Sequence, residues 1–112
     1  MSEARVIDSS EAEIFEDHGL ISRRLVRRAH GSNGMSFNVS TLHEGYDDQD
    51  VVYPDHDEIV YMLTGTVEVT IAGRTQTVTA GQAVFVPRGA RYGYKVVKGP
   101  NDVIAVFSPA KA

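Results

Sequence analysis

The chain has 112 residues, 42% of them hydrophobic and 23% charged, with a formal net charge of −4 and neither Cys nor Trp. That length predicts one domain with a core large enough to stand without staples. The lack of Cys excludes disulfides, thiol nucleophiles, thiolate zinc sites and iron–sulfur clusters, and the acidic balance argues against nucleic acid as a partner.

No apolar run approaches the roughly 20 residues that span a bilayer, so no membrane role is expected. Residues 1–5, Met-Ser-Glu-Ala-Arg, lack the apolar stretch of a signal peptide, and the expected location is the cytoplasm. Residues 1–19 read as an N-terminal extension. Within it, residues 8–17 suit a short helical turn with Ser9 or Ser10 as N-cap and acids at its positive end. His18-Gly19 then reads as a turn.

From residue 20 onward the pattern is strand, turn, strand. Residues 20–28 alternate apolar and charged side chains. Residues 35–42 alternate at period two, with Met35, Phe37, Val39 and Thr41 on one face. Residues 59–63 and 66–71 are rich in β-branched side chains, and Ala72-Gly73 suits a tight hairpin. Residues 74–79, 83–86, 91–97 and 103–107 complete the series. About seven or eight short strands with regular turns predict an all-β sandwich or barrel over residues 20–112.

Charge is unevenly placed. Arg23, Arg24, Arg27 and Arg28 form a basic cluster, read as a solvated strand face, with an anion site or a subunit contact as the other readings. Glu44, Asp47, Asp48, Asp50, Asp55, Asp57 and Glu58 form an acidic run, read as a loop, with no Lys or Arg between them. Met35, Phe37, Met62, Phe85 and Phe107 are expected in the core. Tyr61 and Leu63 alternate with Val60 and Met62, so one pair faces the core and the other a subunit neighbour.

Two spacings are more specific. Gly45 is followed after five residues by Val51, then Val52 and Tyr53; Glu58 follows after four more, and Gly65 after six. Gly81 leads by five residues to Pro87-Arg88-Gly89, then by two to Tyr92 and by three to Val96. This pair of motifs resembles the two-motif signature of the cupin superfamily, with the short inter-motif distance of a compact single-domain member. The resemblance implies a double-stranded β-helix, or jelly-roll, barrel. It also implies a homodimer, with residues 20–28 as a candidate exchanged strand.

In that family the first motif carries two His and a Glu, and the second a further His. Here the His positions fall on Val51, Tyr53 and Tyr92, and Glu58 alone remains. Val51 donates nothing, and neutral phenols bind divalent ions poorly. His56 lies two residues before Glu58 and could share its strand face; with His43 it would make an alternative site for a single divalent transition metal. The main expectation is no cofactor.

A carboxylate inside an apolar barrel should have a raised pKa, the state wanted in a general acid or base. The expected function is therefore a small-molecule-binding cupin enzyme doing metal-independent acid/base chemistry of isomerase, cyclase or lyase type. Glu58 would carry the proton, assisted by Tyr53, Tyr92 and His56. Tyr94, Phe37, Met62 and Arg91 are the candidate ligand-binding residues. Two readings stand beside it: a metal-dependent, oxygenase-like cupin built on His43, His56 and Glu58, and a non-catalytic ligand-binding or sensory cupin.

Overall fold

The computed structural model describes residues 3–112. Its strands are β1 (Glu13–Asp17), β2 (Leu20–Val26), β3 (Ser36–Leu42), β4 (Asp47–Val52), β5 (Asp57–Met62), β6 (Thr66–Ile71), β7 (Arg74–Thr79), β8 (Ala83–Val86), β9 (Arg91–Lys98) and β10 (Asn101–Ser108). They form a six-stranded sheet, β1-β2-β3-β10-β5-β8, facing a four-stranded one, β4-β9-β6-β7, and every pairing is antiparallel. This is the expected all-β jelly roll. No helix among the described residues is long and apolar enough to cross a membrane.

The N-terminal region differs from the expectation. Helical geometry is confined to one 3₁₀ turn, Ser9–Glu11, and its cap is Asp8 rather than Ser9 or Ser10. The Asp8 carboxylate accepts from the Ser10 amide at 2.9 Å, and the Glu11 carboxylate accepts from the Asp8 amide at 2.9 Å. These reciprocal bonds satisfy the turn's free donors, and the chain is extended again at Ala12. Glu13–Asp17 then joins the sheet as β1, pairing Ile14 with Arg23 and Phe15 with Ser22. The segment set apart as an extension thus supplies an edge strand.

The acidic run is also more ordered than a loop. Asp47–Val52 is a strand, paired antiparallel with β9. Asp47 pairs with Lys95 and Val52 with Arg91. The Arg91 guanidinium also donates to the Asp50 carboxylate.

Where the sequence demanded special backbone, the structure supplies it. Ala72 and Gly73 both have positive φ, at 52° and 78°, as the β6–β7 hairpin requires. Gly65 has φ of 85°, and a Cβ there would stand 2.8 Å from the Lys98 carbonyl oxygen.

The core is valine-rich. Val60, Met62, Val67, Val69, Val84, Val86 and Val96 from both sheets pack together out of solvent. Val60 and Met62 face inward and Tyr61 and Leu63 outward, as the alternation predicted. On β3 the period is as expected but the faces are reversed. Ser36, Asn38, Ser40 and Leu42 are buried, and Phe37, Val39 and Thr41 point outward and are half-buried. Of the expected core residues, Met62 and Phe107 are buried, whereas Met35 and Phe85 are 59% and 63% exposed. Met35 follows the outward face of β3, whose inner face lines a polar cavity, and Phe85 lies on the outer face of β8 opposite Ile59, while its neighbours Val84 and Val86 fill the core.

Candidate functional site

Between the two sheets lies a cavity of about 270 Å³, lined from β2, β3, β5 and β10 on one side and β4 and β9 on the other. That is just below the usual range for small-molecule sites, roughly 300–1,000 Å³.

Glu58 is its buried carboxylate, 4% exposed. It sits on β5 between Phe107 of β10 and Val86 of β8, so strands on both sides fix its backbone. Tyr92 reaches it from the opposite sheet and donates its hydroxyl to Glu58 Oε1 at 2.7 Å. Burial pushes the Glu58 carboxyl above the usual carboxylate range; the Tyr92 hydrogen bond and the charge of Lys111 only partly offset this. Burial, and then the charge of Glu58, push the Tyr92 phenol far up, so it remains a donor at all ordinary pH values.

Tyr53 lines the same cavity and packs edge-on against Phe107, with ring centroids 5.0 Å apart. Its pKa is likewise raised, by burial first and by Glu58 second. Its hydroxyl makes no hydrogen bond to any described residue, so it is a donor open to the cavity. Tyr94 contributes its ring to the wall, while its hydroxyl is anchored on Asn101 Oδ1 and contacts Met62 Sδ at 3.4 Å.

Four of the residues singled out from the sequence, Glu58, Tyr53, Tyr92 and Tyr94, therefore meet in the cavity. Others do not. His56 lies in the β4–β5 turn, with Nδ1 2.9 Å from the Pro109 carbonyl oxygen and its ring edge-on to Phe107, outside the cavity lining. Arg91 is exposed and occupied by Asp50. Phe37 points from the other face of β3. Met62 is fully buried and does not line the cavity. His43 is on an exposed turn, its amide tied to the Gly19 carbonyl oxygen at 2.8 Å. His43, His56 and Glu58 are not brought together, and among the described residues no group of three or more His, Cys, Asp or Glu side chains could hold a metal ion.

The cavity also holds residues not singled out individually from the sequence, Arg24 having been read only within the basic cluster. Asn38 is 7% exposed, and its Oδ1 has no hydrogen-bond partner among the described residues. Ser40 donates to Ser22 Oγ at 3.2 Å. Arg24 enters from β2, stacked 4.6 Å above the Phe15 ring and bonded to Glu13 at 3.2 Å. Lys111 enters from the C-terminal tail, its Nζ 5.1 Å from the Tyr53 ring centroid and 5.2 Å from that of Phe107. Period-two alternation from Leu20 through Ser22 to Arg24 could have separated Arg24 from the solvated cluster. Nothing local marks Lys111. The tail is steered by long-range bonds: the Ala110 amide to the Asn33 carbonyl and the Lys111 amide to Ser36 Oγ, each at 3.0 Å.

Residues 38–107 match the family model described as the cupin domain. The chain belongs to the cupin family. It is 26% identical over 106 residues, covering 95% of each chain, to the uncharacterized protein SCO3923 of Streptomyces coelicolor. It is 38% identical over 58 residues, or 51% of this chain, to the endoribonuclease YbeY of Myxococcus xanthus, but spans only 20% of that protein's length. The structure of KdgF from Halomonas sp. superposes with a TM-score of 0.84 at 18% identity, over 97% of this chain and 96% of that one.

The residues at this cupin's metal positions do not fit a transition metal. Val51 has no donor atom, Tyr53 and Tyr92 are phenols with raised pKa values, and Glu58 already accepts a hydrogen bond from Tyr92.

Proposed function

We propose that this cupin binds a small molecule in the cavity and carries out metal-independent acid/base chemistry on it, of isomerase, cyclase or lyase type. Glu58 is the proton carrier. The observation that carries this reading is a buried carboxylate facing a cavity and held by a phenol, Tyr92 Oη to Glu58 Oε1 at 2.7 Å. A carboxyl in that setting is poised nearer neutrality than a surface one, where it can both take and return a proton. Tyr92 orients it. Tyr53, whose hydroxyl is otherwise unpaired, is placed to donate to a substrate oxygen as charge develops there.

The test is a screen of small metabolites for turnover in D2O, reading deuterium incorporated into substrate or product. Glu58→Gln should retain ligand affinity and lose about 10²–10⁴-fold in rate. Binding without turnover or deuterium exchange in the wild type would instead make this a non-catalytic binding cupin.

We also propose that the protein is a homodimer, formed through the outer face of the six-stranded sheet. Ile59, Tyr61 and Phe85 on that face are 46%, 40% and 63% exposed, and a second copy offers the matching apolar face about a two-fold axis. Light scattering should give twice 12.2 kDa; a clean 12.2 kDa species would reject the dimer.

A further inference from the structure

Several polar groups in the cavity are left without partners. The Lys111 ammonium makes no ion pair or hydrogen bond with any described residue. It rests over the rings of Tyr53 and Phe107, whose faces attract a cation but accept none of its three N–H groups as a carboxylate would. Arg24, of like charge, lines the same cavity and is only partly balanced by Glu13 at its outer end, 3.2 Å away. The two cations act on each other: burial first and Arg24 second hold the Lys111 pKa below its ordinary value. Asn38 presents a buried amide oxygen with nothing to accept from. Leaving such groups unpaired costs stability, and an incoming ligand would remove that cost.

We infer that the cavity takes a small monocarboxylate bearing a hydroxyl or N–H group, its carboxylate bound by Lys111 and Arg24 and its donor received by Asn38. A monoanion fits better than a phosphate dianion for electrostatic reasons. Glu13 already balances part of Arg24, and Glu58, Asp17 and Asp48 line the same space. The small volume sets the upper size. Bound in this way, the ligand lies between the cationic wall and Glu58, so the inference rests on the reading of Glu58 as the working group and adds the class of molecule it acts on.

The experiment compares lactate, mandelate and gluconate, each with its primary amide, by NMR titration of the 15N-labelled full chain. At least one acid should bind about ten-fold or more tightly than its amide, as a charge-assisted hydrogen bond implies, and shift the Asn38 and Lys111 signals. Lys111→Met should abolish that preference and Lys111→Arg retain it, with melting curves confirming that both variants fold. Acids that bind no better than amides, or a preference that survives Lys111→Met, would overturn the inference. The two readings fail separately. Acid-selective binding without any deuterium exchange keeps the carboxylate site and removes the acid/base role. Glu58-dependent turnover of neutral compounds alone does the reverse.

Discussion

On the inner face of the six-stranded sheet, β2, β3 and β5 present Ser22, Asn38, Ser40 and Glu58; on the outer face the same strands present Ile21, Val39, Ile59 and Tyr61. A sheet with one solvated side normally alternates the other way, apolar inward and polar outward. Both departures are costly in isolation. Buried hydroxyls, an amide and a carboxylate must find partners or await a ligand, and an exposed apolar face invites association. Together they divide the sheet: its inside is a polar wall of the cavity, where ligand binding is proposed, and its outside an exposed apolar surface, where the subunit contact is proposed. The four-stranded sheet makes a more ordinary contribution, with Val67, Val69 and Val96 buried and Glu68 and Lys95 facing away.

The largest test of this contrast is on the outer face. Ile59 and Phe85 are direct cross-strand partners there. Replacing both, Ile59→Lys with Phe85→Lys, should convert the proposed dimer to a 12.2 kDa monomer in light scattering while leaving the cavity and its ligand binding intact. An unchanged mass would place the subunit contact elsewhere.

Next in size is Tyr92→Phe, on the inner face. It removes the hydrogen bond to Glu58 and should destabilise the fold by about 1–3 kcal/mol, read by urea unfolding. It should also raise the Glu58 pKa further, because that bond is the larger of the two influences, with the charge of Lys111, that offset burial. Loss of stability without a change in titration would mean Tyr92 is packing alone.

Glu58→Gln sharpens the same face through pH. The native carboxyl titrates above its ordinary value, so the folded state binds more protons than the unfolded state between the two pKa values. Glu58 therefore contributes most stability below the unfolded pKa, and that contribution is lost as pH rises through the folded one. Melting temperatures of wild type and Glu58→Gln should diverge with rising pH across that window, the variant being the more stable at neutral pH.

Smallest is Asn38→Leu. Removing an amide oxygen that has no partner should stabilise the protein by about 1 kcal/mol in thermal melts and weaken carboxylate binding. Destabilisation would show that Asn38 is satisfied by ordered water instead.

Much of the architecture was legible in the sequence, since glycine and proline spacing at Gly65, Gly81 and Pro87-Arg88-Gly89 reports backbone turns that only certain residues make. Glu58, Tyr53 and Tyr92 were legible for the same reason, being carried on that spacing, and Tyr94 follows Tyr92 by two residues and so shares its inward face. The orientation of β3 was not. Period-two alternation identifies two faces without saying which is inside, and the usual rule failed because the inside here is polar. His56 was misplaced by assuming that β5 extends back to it with its alternation unbroken; the strand begins at Asp57 and the ring turns to Pro109. Lys111 is placed by contacts to Asn33 and Ser36. Pairing at that sequence distance leaves no local trace.

The central claim is that Glu58 is a buried carboxyl tuned for proton transfer. A 13C NMR titration of its side-chain carboxyl tests it directly. The expected midpoint is clearly above that of an ordinary glutamate, and higher still in Tyr92→Phe. A midpoint at the ordinary value, unmoved by loss of the Tyr92 hydroxyl, would contradict it.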